Sequence, residues 1–448
     1  MATAAGRRRA NPYRLYLFGI EAPLAILIAL AQTTAVVYYV GSGRLHPLEL
    51  VTLGTSVELS YFFMQLPTGV LADLVSRRMC VVAGVVLVGA GLAEQGLTPA
   101  FGNLLAGQFV IGLGAALQEG ALDAWIADEL DEERMTPIYL RATQLGLAGG
   151  IVGSVLSALL ASTRLYLPLF VGGVAVIVVG VVLAFVMPES RASSRPHGVR
   201  AAEAESSLVL RTMWTGFTRQ LKDARIGIVA VPGFVLLLGM IFFAGLWSES
   251  FDRLWGDFLL TDIRLPNLFG LHPAGWFSAI SIVVSLLGLA ATQSAKRWTG
   301  HSDARTTGRA LLVLTSLICV GVLVMAGAGT FALAITAYLF VQALRPVSYP
   351  MVTGWIVARV DPGVRATVLS ARDMFDSAGQ IVGGPFVGWI GVIGTIRTAL
   401  YAGAVALLPA IGLLGLATAR MRPQAVPGAS GSESGAGSET TPALTEQP

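Results

Sequence analysis

The sequence predicts an all-α polytopic membrane protein in which twelve transmembrane helices form two six-helix pseudo-repeats. Of the 448 residues, 54% are hydrophobic and only 13% are charged, about half the charge of an average soluble protein. The mean hydropathy of +0.70 indicates the same excess of apolar surface. The chain contains twelve apolar runs of about 20 residues or more, the length that crosses a bilayer. Because backbone polar groups in a bilayer must be paired within their own segment, these runs are predicted to be helices.

A polar, arginine-rich stretch divides the twelve predicted helices into six and six. We expect an N-terminal half at residues 1–188, a cytoplasmic linker at 189–224, a C-terminal half at 225–420 and a cytoplasmic tail at 421–448. The tail consists largely of Gly, Ser, Pro, Thr and Glu, a composition that favours disorder. The seventh helix, the first of the second half, is predicted at residues 226–250.

The basic residues favour one orientation of the chain. Of the 30 lysines and arginines, 24 lie in or beside segments on the side that carries both termini, five lie on the other side, and Arg345 lies within a helix. Because cytoplasmic loops are enriched in Lys and Arg, both termini are expected on the cytoplasmic side of a bacterial-type inner (plasma) membrane. A cleaved signal peptide is the alternative for the first helix, but that apolar run is too long for one.

Several enzyme classes are excluded because their motifs are missing. Neither lysine, Lys222 or Lys296, completes a nucleotide-binding P-loop, and the sequence contains no H-E-x-x-H and no G-x-S-x-G. Cys80 and Cys319 lie far apart in or beside apolar stretches, so a disulfide framework is not expected. We therefore expect a protein that is not an enzyme, with no catalytic residue, no metal, no cofactor and no nucleic-acid partner.

Two short matches indicate that the halves are copies of one unit. AWIAD is followed by RAT near the junction of the fourth and fifth helices, and GWIVA is followed by RAT near the junction of the tenth and eleventh. These strings begin at residues 124, 141, 354 and 365. Duplicated halves joined by a linker are typical of transporters that alternate access to a site near the membrane midplane.

The turn after the second helix carries the most specific motif. Residues 69–78 read GVLADLVSRR, which resembles the G-x-L-a-D-r-x-G-R-[RK] signature of the major facilitator superfamily, although Ser76 replaces the usual Gly and Leu74 the usual basic residue. Three further strings are similar to the drug:proton antiporter branch that includes tetracycline and macrolide efflux proteins: LPTGVLAD at 66–73, GALDAWIADE at 120–129 and RATVLS at 365–370.

The resemblance implies a cytoplasmic gate that contains Gly69, Asp73, Arg77, Arg78 and Asp128. In this family the cluster holds the inner face shut in the outward-open state, with the carboxylate facing the start of the eleventh helix. The residues themselves allow a charge pair between Asp73 and Arg77, and Asp128 ends the fourth helix on the same side and is placed to share Arg77. The alternative is that the two arginines only anchor the topology.

Two positions depart from the family pattern. Gln108 stands where family members carry an arginine in the fourth helix, and the glycine-rich stretch of the fifth helix has no proline. A comparable pattern, Gly379-x-x-x-Gly383-Gly384-Pro385, lies instead in the eleventh helix. Its glycines belong to an antiporter motif or simply permit close contact between helices.

Acids within the predicted helices are the candidates for coupling transport to protons. Each is costly in a bilayer unless it has a partner, water or a proton. At about 1.5 Å per residue, Glu21 and Glu119 lie about 14 Å inside the cytoplasmic ends of their helices, and Asp123 is one turn from Glu119. In the family, helices one, four, seven and ten line the cavity, so these acids are predicted to cluster there. Nearby like charges and burial both favour the protonated form of a carboxyl group. Glu21 or Asp123 is therefore the expected coupling residue. The alternative is that these acids only form buried hydrogen bonds.

Charged and aromatic residues of the second half complete the candidate site. Arg345 and Asp376 both lie near the midplane and are expected to pair, as a structural clamp or for substrate recognition. Glu58 is interpreted as structural, while Glu249 and Asp252 are interpreted as solvated or gate residues near the outer surface, at the end of the seventh helix. The candidates that line the substrate cavity are Phe242, Phe243, Trp247, Phe375 and Gln380.

Together these features predict a proton-coupled exporter of lipophilic drugs or antibiotics that works by alternating access. Its expected partners are a small-molecule substrate, protons and the lipid bilayer, and it is expected to be monomeric. The alternative is a proton-coupled importer or exporter of a small metabolite on the same fold. A non-transporting sensor or a membrane enzyme is a remote alternative, since the sequence has no D-D-x-x-D cluster.

Overall fold

The computed structural model is helical throughout the residues that it describes, apart from short connections. These residues are 11–74, 76–130, 135–189, 234–267, 270–298, 304–357 and 365–420. The twelve long helices are α1 (Pro12–Gly41), α2 (Pro47–Leu74), α3 (Arg77–Gln95), α4 (Phe101–Glu129), α5 (Met135–Ala161), α6 (Leu167–Val186), α7 (Phe234–Ile263), α8 (Pro273–Trp298), α9 (Ala304–Ala326), α10 (Phe331–Val357), α11 (Arg365–Ile393) and α12 (Ile396–Arg420). Ten of them are long and apolar enough to cross a membrane, and the predicted fold class is confirmed.

Two predicted segments lie almost wholly outside the described residues. These are the linker at 189–224, of which only Glu189 is described, and the tail at 421–448. The predicted end of the seventh helix at residue 250 was wrong, because α7 continues to Ile263. The polar residues around that position suggested a helix end, but they lie within the helix and have charged partners.

Each half has its own hydrophobic core. One cluster of buried apolar side chains comes from α1 to α6, and the other is built mainly from α7 to α12 and is joined by Val51 of α2. Trp125 near the end of α4 and Trp355 near the end of α10 are both buried. Corresponding tryptophans at corresponding helix ends agree with the short sequence matches between the halves.

Close helix crossings within the first half depend on glycine. Gly84 of α3 and Gly114 of α4 lie where these helices cross, and a Cβ atom on either would collide with the backbone of the other helix. Small residues allow backbones to approach closely where helices pack in a membrane. In this way α3 packs against α4 and α6, while α7 packs against α11 and α12 in the second half.

The two halves meet along the inter-half seam, in which α2 packs against α7 and α11, and α5 packs against α8. We call the side that carries Asn11 and Arg420 the terminal face and the opposite side the far face. Gly388 and Gly391 of α11 approach Leu48 and Pro47 of α2, respectively, at the far face. The seam is therefore closed at the far face.

The two helices α2 and α11 are the ones that fall short of the apolar threshold for a membrane span. Both contain several ionisable residues, including Glu58 in α2 and Asp376 in α11. These helices face each other across the inter-half seam, where protein rather than lipid surrounds part of their surface. Their position explains why they tolerate a lower hydropathy than the other ten helices.

Candidate functional site

The three predicted acids meet on one wall of the space between the halves. Glu119 and Asp123 lie one turn apart on α4, and both are exposed, although residues of α2 and α5 contact them. Glu21 of α1 is close enough to interact electrostatically with both. We call Glu21, Glu119 and Asp123 the acidic wall and the space that it lines the vestibule. The structure thus brings together the acids that the sequence places at similar depth.

Glu21 lies at the end of an irregular part of α1. The segment Leu15–Glu21 is π-helical, and α-helical geometry resumes at Ala22. Such π-helical turns are rare and often occur at functional sites. The wider turn alters the direction in which the side chains before Ala22 point, and Glu21 accepts a hydrogen bond from Tyr16 of the same segment.

Each acid of the wall is bonded to a tyrosine. The Tyr61 hydroxyl donates to Glu119 Oε2 at 2.5 Å, and the Tyr139 hydroxyl donates to Asp123 Oδ1 at 3.1 Å. The rings of Tyr16 and Tyr139 meet edge to face with their centroids 6.5 Å apart. These tyrosines were missed by the sequence analysis, which named no tyrosine among its candidate residues. The sequence feature that could have identified them is a tyrosine within a membrane helix, since a Tyr hydroxyl group needs a hydrogen-bond partner when it is buried.

The acidic wall has no basic partner within the described ranges. No lysine or arginine there forms an ion pair with Glu21, Glu119 or Asp123. Their bonds from tyrosine are donated by neutral groups, which orient the carboxylates without cancelling their charge. The wall is thus able to hold either protons or a cationic ligand, because both supply the missing positive charge.

The predicted pair between Arg345 and Asp376 was wrong. The Arg345 guanidinium group binds both carboxylate oxygens of Asp252 on α7, with an Nη2–Oδ2 distance of 2.7 Å. Asp376 instead accepts a hydrogen bond from Gln380 at 2.9 Å. The error has a simple cause, since Asp252 was placed outside the seventh helix and was therefore not considered as a partner in the membrane. Glu249, which was also interpreted as solvated, is buried and paired with Arg253 at 3.0 Å.

The pair of Arg345 with Asp252 is testable by a double-mutant cycle on the purified protein. We expect Arg345→Gln to reduce thermal stability, because it leaves Asp252 without its bidentate partner. The double variant with Asp252→Asn is expected to recover part of the loss, with a coupling energy of about 1 kcal/mol. Additive effects of the two substitutions would show that the pair contributes nothing as a unit.

The aromatic candidates have different environments. Trp247 is buried beneath Arg345, whose guanidinium carbon lies 5.3 Å from the indole centroid. Phe242 and Phe243 are partly buried and meet edge to face at 5.5 Å, whereas Phe375 is 39% exposed. The structure therefore places Trp247 in a packed aromatic cluster and leaves Phe375 available to contact a ligand.

The two departures from the family pattern have structural explanations. Gln108 is buried and donates hydrogen bonds to the Tyr39 hydroxyl at 3.3 Å and to Gln95 Oε1 at 3.2 Å. Gly379 and Gly383 of α11 contact the backbone of α7. These contacts support the interpretation that the α11 glycines permit close helix packing.

The motif after α2 ties together the terminal-face ends of the first half. Arg77 forms an ion pair with Asp128 and donates to the Ala124 carbonyl group at 2.9 Å, while Arg78 donates to the Ala184 carbonyl group. Asp128 thus pairs with Arg77, as expected. The backbone of Gly69 and Asp73 lies in the last turns of α2, but the Asp73 side chain is outside the described part of the chain.

Ser76, which replaces the usual glycine of the motif, caps the first turn of α3. Its hydroxyl oxygen accepts a hydrogen bond from the Met79 backbone N–H at 3.1 Å. The same hydroxyl group donates to the Glu189 carboxylate at 2.8 Å. A serine N-cap satisfies an amide group that a glycine would leave to water, so this departure strengthens the start of α3.

The fold and this arrangement define a polytopic transporter with two six-helix halves. The family model of the Major Facilitator Superfamily matches residues 15–375, and the chain belongs to this superfamily. Its members are membrane transporters, and neither the fold nor the match gives positive evidence of catalysis.

The relatives show the fold and do not show the substrate. An uncharacterized MFS-type transporter, YxaM of Bacillus subtilis (strain 168), is 19% identical over 349 residues, which cover 77% of this chain and 80% of YxaM. The nucleoside transporter NupG has a TM-score of 0.68 at 14% identity, with 90% of this chain and 99% of that chain covered. A bacterial homolog of the human lysosomal transporter Spinster, inward-facing and occupied, has a TM-score of 0.68 at 14% identity, with coverages of 92% and 98%.

Proposed function

We propose that this protein is a proton-coupled exporter of lipophilic drugs or antibiotics, with a preference for cationic compounds. It exchanges protons for cargo by alternating access between the two halves. The protein acts as a monomer in the cell membrane. The observation that carries the proposal is the acidic wall, where three carboxyl groups from α1 and α4 face the vestibule without a basic partner in the described residues.

The orientation of the vestibule follows from the distribution of charge. Most lysines and arginines lie in or beside segments on the terminal face, which is therefore the cytoplasmic side. The seam is closed at the far face, and we infer that the vestibule opens toward the terminal face. Cargo reaches the acidic wall from the cytoplasm or the inner leaflet in this state.

The exchange of protons for cargo follows from charge balance on the acidic wall. Carboxylates in a poorly hydrated site require compensating positive charge, which a proton or a cationic cargo supplies. Binding of the cation favours release of protons from the wall, and protonation favours release of the cation. If only the cargo-loaded form and the protonated form switch between the inward-open and outward-open states, the proton gradient drives the cargo outward.

The opposite part of the vestibule suits the apolar part of such a cargo. Phe375 of α11 is exposed, while Phe242 and Phe243 of α7 are partly exposed. The charge of Arg345 is compensated by Asp252, so the arginine does not cancel the acidic wall. Exposed aromatic rings together with uncompensated acids fit a lipophilic cation better than an anion.

The second candidate function is proton-coupled transport of a small polar metabolite, in either direction. It is favoured by fold neighbours such as NupG, a nucleoside transporter. Polar groups at Arg345, Gln380 and Asp376 are available for hydrogen bonds with such a substrate after local rearrangement. The two candidates differ in whether expression lowers or raises the cellular content of a lipophilic cation.

A susceptibility panel tests the proposal directly. Cells that express the protein are expected to tolerate higher concentrations of ethidium, tetraphenylphosphonium or another lipophilic cation than cells with an empty vector. A protonophore is expected to abolish the accompanying ethidium efflux, because protons supply its free energy. Equal susceptibility to the whole panel, together with unchanged ethidium accumulation, would contradict drug export and favour the metabolite transporter.

A further inference from the structure

One carboxyl group of the first half lies in the inter-half seam instead of the acidic wall. Glu58, near the middle of α2, accepts a hydrogen bond from Ser377 of α11 at 3.2 Å from Ser377 Oγ to Glu58 Oε2. This bond joins the two halves directly. It forms where the seam is closed, and it must break when α2 separates from α11.

The C-terminal half presents an ion pair to the same part of α2. Arg253 Nε donates to Glu249 Oε1 at 3.0 Å, and Glu249 is 2% exposed. A Cβ atom on Gly54 would collide with both side chains, so the pair packs directly against the α2 backbone one turn before Glu58. Closing the seam therefore buries Glu249 and leaves Glu58 and Arg253 only partly exposed to water.

The charges that face Glu58 do not balance. From α7, Glu249 and Arg253 interact with Glu58, and from α11 it is faced by Asp376. Arg253, the one cation among them, is already bound to Glu249. Tyr61, one turn beyond Glu58 on α2, interacts with Glu58 and donates a hydrogen bond to Glu119 of α4. An ionised Glu58 would thus add a further anion to a closed seam in which the available cation is taken, and Glu58 is only partly exposed to water. A partly buried charge without an opposite charge is unfavourable.

We propose that Glu58 is a second proton-binding site, separate from the acidic wall, that is occupied while the seam is closed at the far face. When α2 separates from α7 and α11, water hydrates the Glu58 carboxylate, and the proton exchanges with the solution on that side. The inference rests on the proposed proton coupling, and it identifies Glu58 as the residue through which protonation controls the opening of the far face. Protonated Glu58 favours the closed seam, and ionised Glu58 favours the open one.

The position of Tyr61 connects the two proton sites. Tyr61 interacts electrostatically with Glu58 and donates a hydrogen bond to Glu119 in the vestibule. Because Tyr61 interacts with both carboxyl groups, we expect the protonation of Glu58 and that of Glu119 to influence each other.

The experiment measures the opening of the far face as a function of pH. Spin labels on Ser42→Cys and Thr395→Cys, two exposed far-face positions, report the distance between the halves. The buried Cys80 and Cys319 are replaced by Ala in this background. In wild type we expect the population of long distances to rise from acidic to alkaline buffer. Glu58→Gln is expected to keep the short distance throughout, because glutamine mimics the protonated carboxyl group.

Matched variants keep the outcome decisive. Glu94→Gln on α3, which removes a carboxylate outside the seam, is expected to retain the wild-type pH response. Glu58→Asp retains a titratable group and is expected to respond to pH with a shifted midpoint, which covers the case in which glutamine prevents folding. A normal response in Glu58→Gln, or no response in wild type, would overturn the inference.

The same preparations separate this inference from the proposed function. Ethidium transport driven by a pH gradient is measured for wild type in proteoliposomes. If wild type transports ethidium with protons but Glu58→Gln opens normally, the inference fails and the proposed function stands. If the gate responds to pH through Glu58 but no cation is exchanged for protons, the proposed function fails and the proton site stands.

Discussion

Asp123→Asn is expected to abolish proton-driven export while leaving the exchange of cargo across the membrane intact. The side chain keeps its size and its ability to accept a hydrogen bond from Tyr139, so the fold is preserved. Asparagine cannot bind and release the proton that drives export. We expect ethidium transport driven by a pH gradient to fall at least about tenfold, which corresponds to about 1.4 kcal/mol.

A second measurement on the same variant, together with a control variant, distinguishes coupling from general damage. Counterflow, in which unlabelled cargo on one side drives labelled cargo across, requires no net proton movement and is expected to persist. Glu94→Gln is the matched control, because it removes a carboxylate from α3 away from the vestibule. Glu21→Gln is expected to have a smaller effect than Asp123→Asn, since Glu21 is less exposed. Full pH-driven transport by Asp123→Asn would remove this residue from the coupling site.

Gly384→Leu is expected to prevent closure of the far face and to reduce transport at least about tenfold. A Cβ atom at Gly384 would collide with the Thr55 side chain of α2, and the remaining atoms of leucine enlarge the conflict. Separation of α2 from α11 removes this collision with the least rearrangement, and that separation is the outward-open arrangement. The far-face spin labels should then report long distances at every pH.

A second glycine provides the control for this substitution. Gly412 of α12 has open space around its Cβ direction, so Gly412→Leu adds the same side chain without a collision. It is expected to keep the wild-type distance distribution and wild-type transport. A short far-face distance in Gly384→Leu would show that α2 and α11 adapt to the larger side chain, and the seam would not depend on glycine at this position.

The fold could be predicted because lipid leaves few alternatives. Apolar runs long enough to cross a bilayer must be helices, and their number and the strings around Trp125 and Trp355 indicated two halves. The end of α7 could not be placed in the same way. A run of charged residues usually ends a membrane helix, but here Glu249 with Arg253 and Asp252 with Arg345 allow the helix to continue.

The acids of the site could be predicted from depth alone, whereas their partners could not. Glu21, Glu119 and Asp123 were found by counting residues from the helix ends. Which tyrosine reaches each acid depends on how helices rotate against one another, and no local pattern specifies that rotation. Asp252 was assigned to the wrong environment for the related reason that its helix was expected to end too early.

The central claim is that cargo and protons exchange on the acidic wall. The most direct test places purified protein in liposomes without a pH gradient, imposes an ethidium gradient and follows the internal pH with a trapped dye. We predict proton movement opposite to ethidium, absent from empty liposomes and from liposomes with Asp123→Asn. Ethidium transport by wild type without any accompanying change of pH would contradict the account.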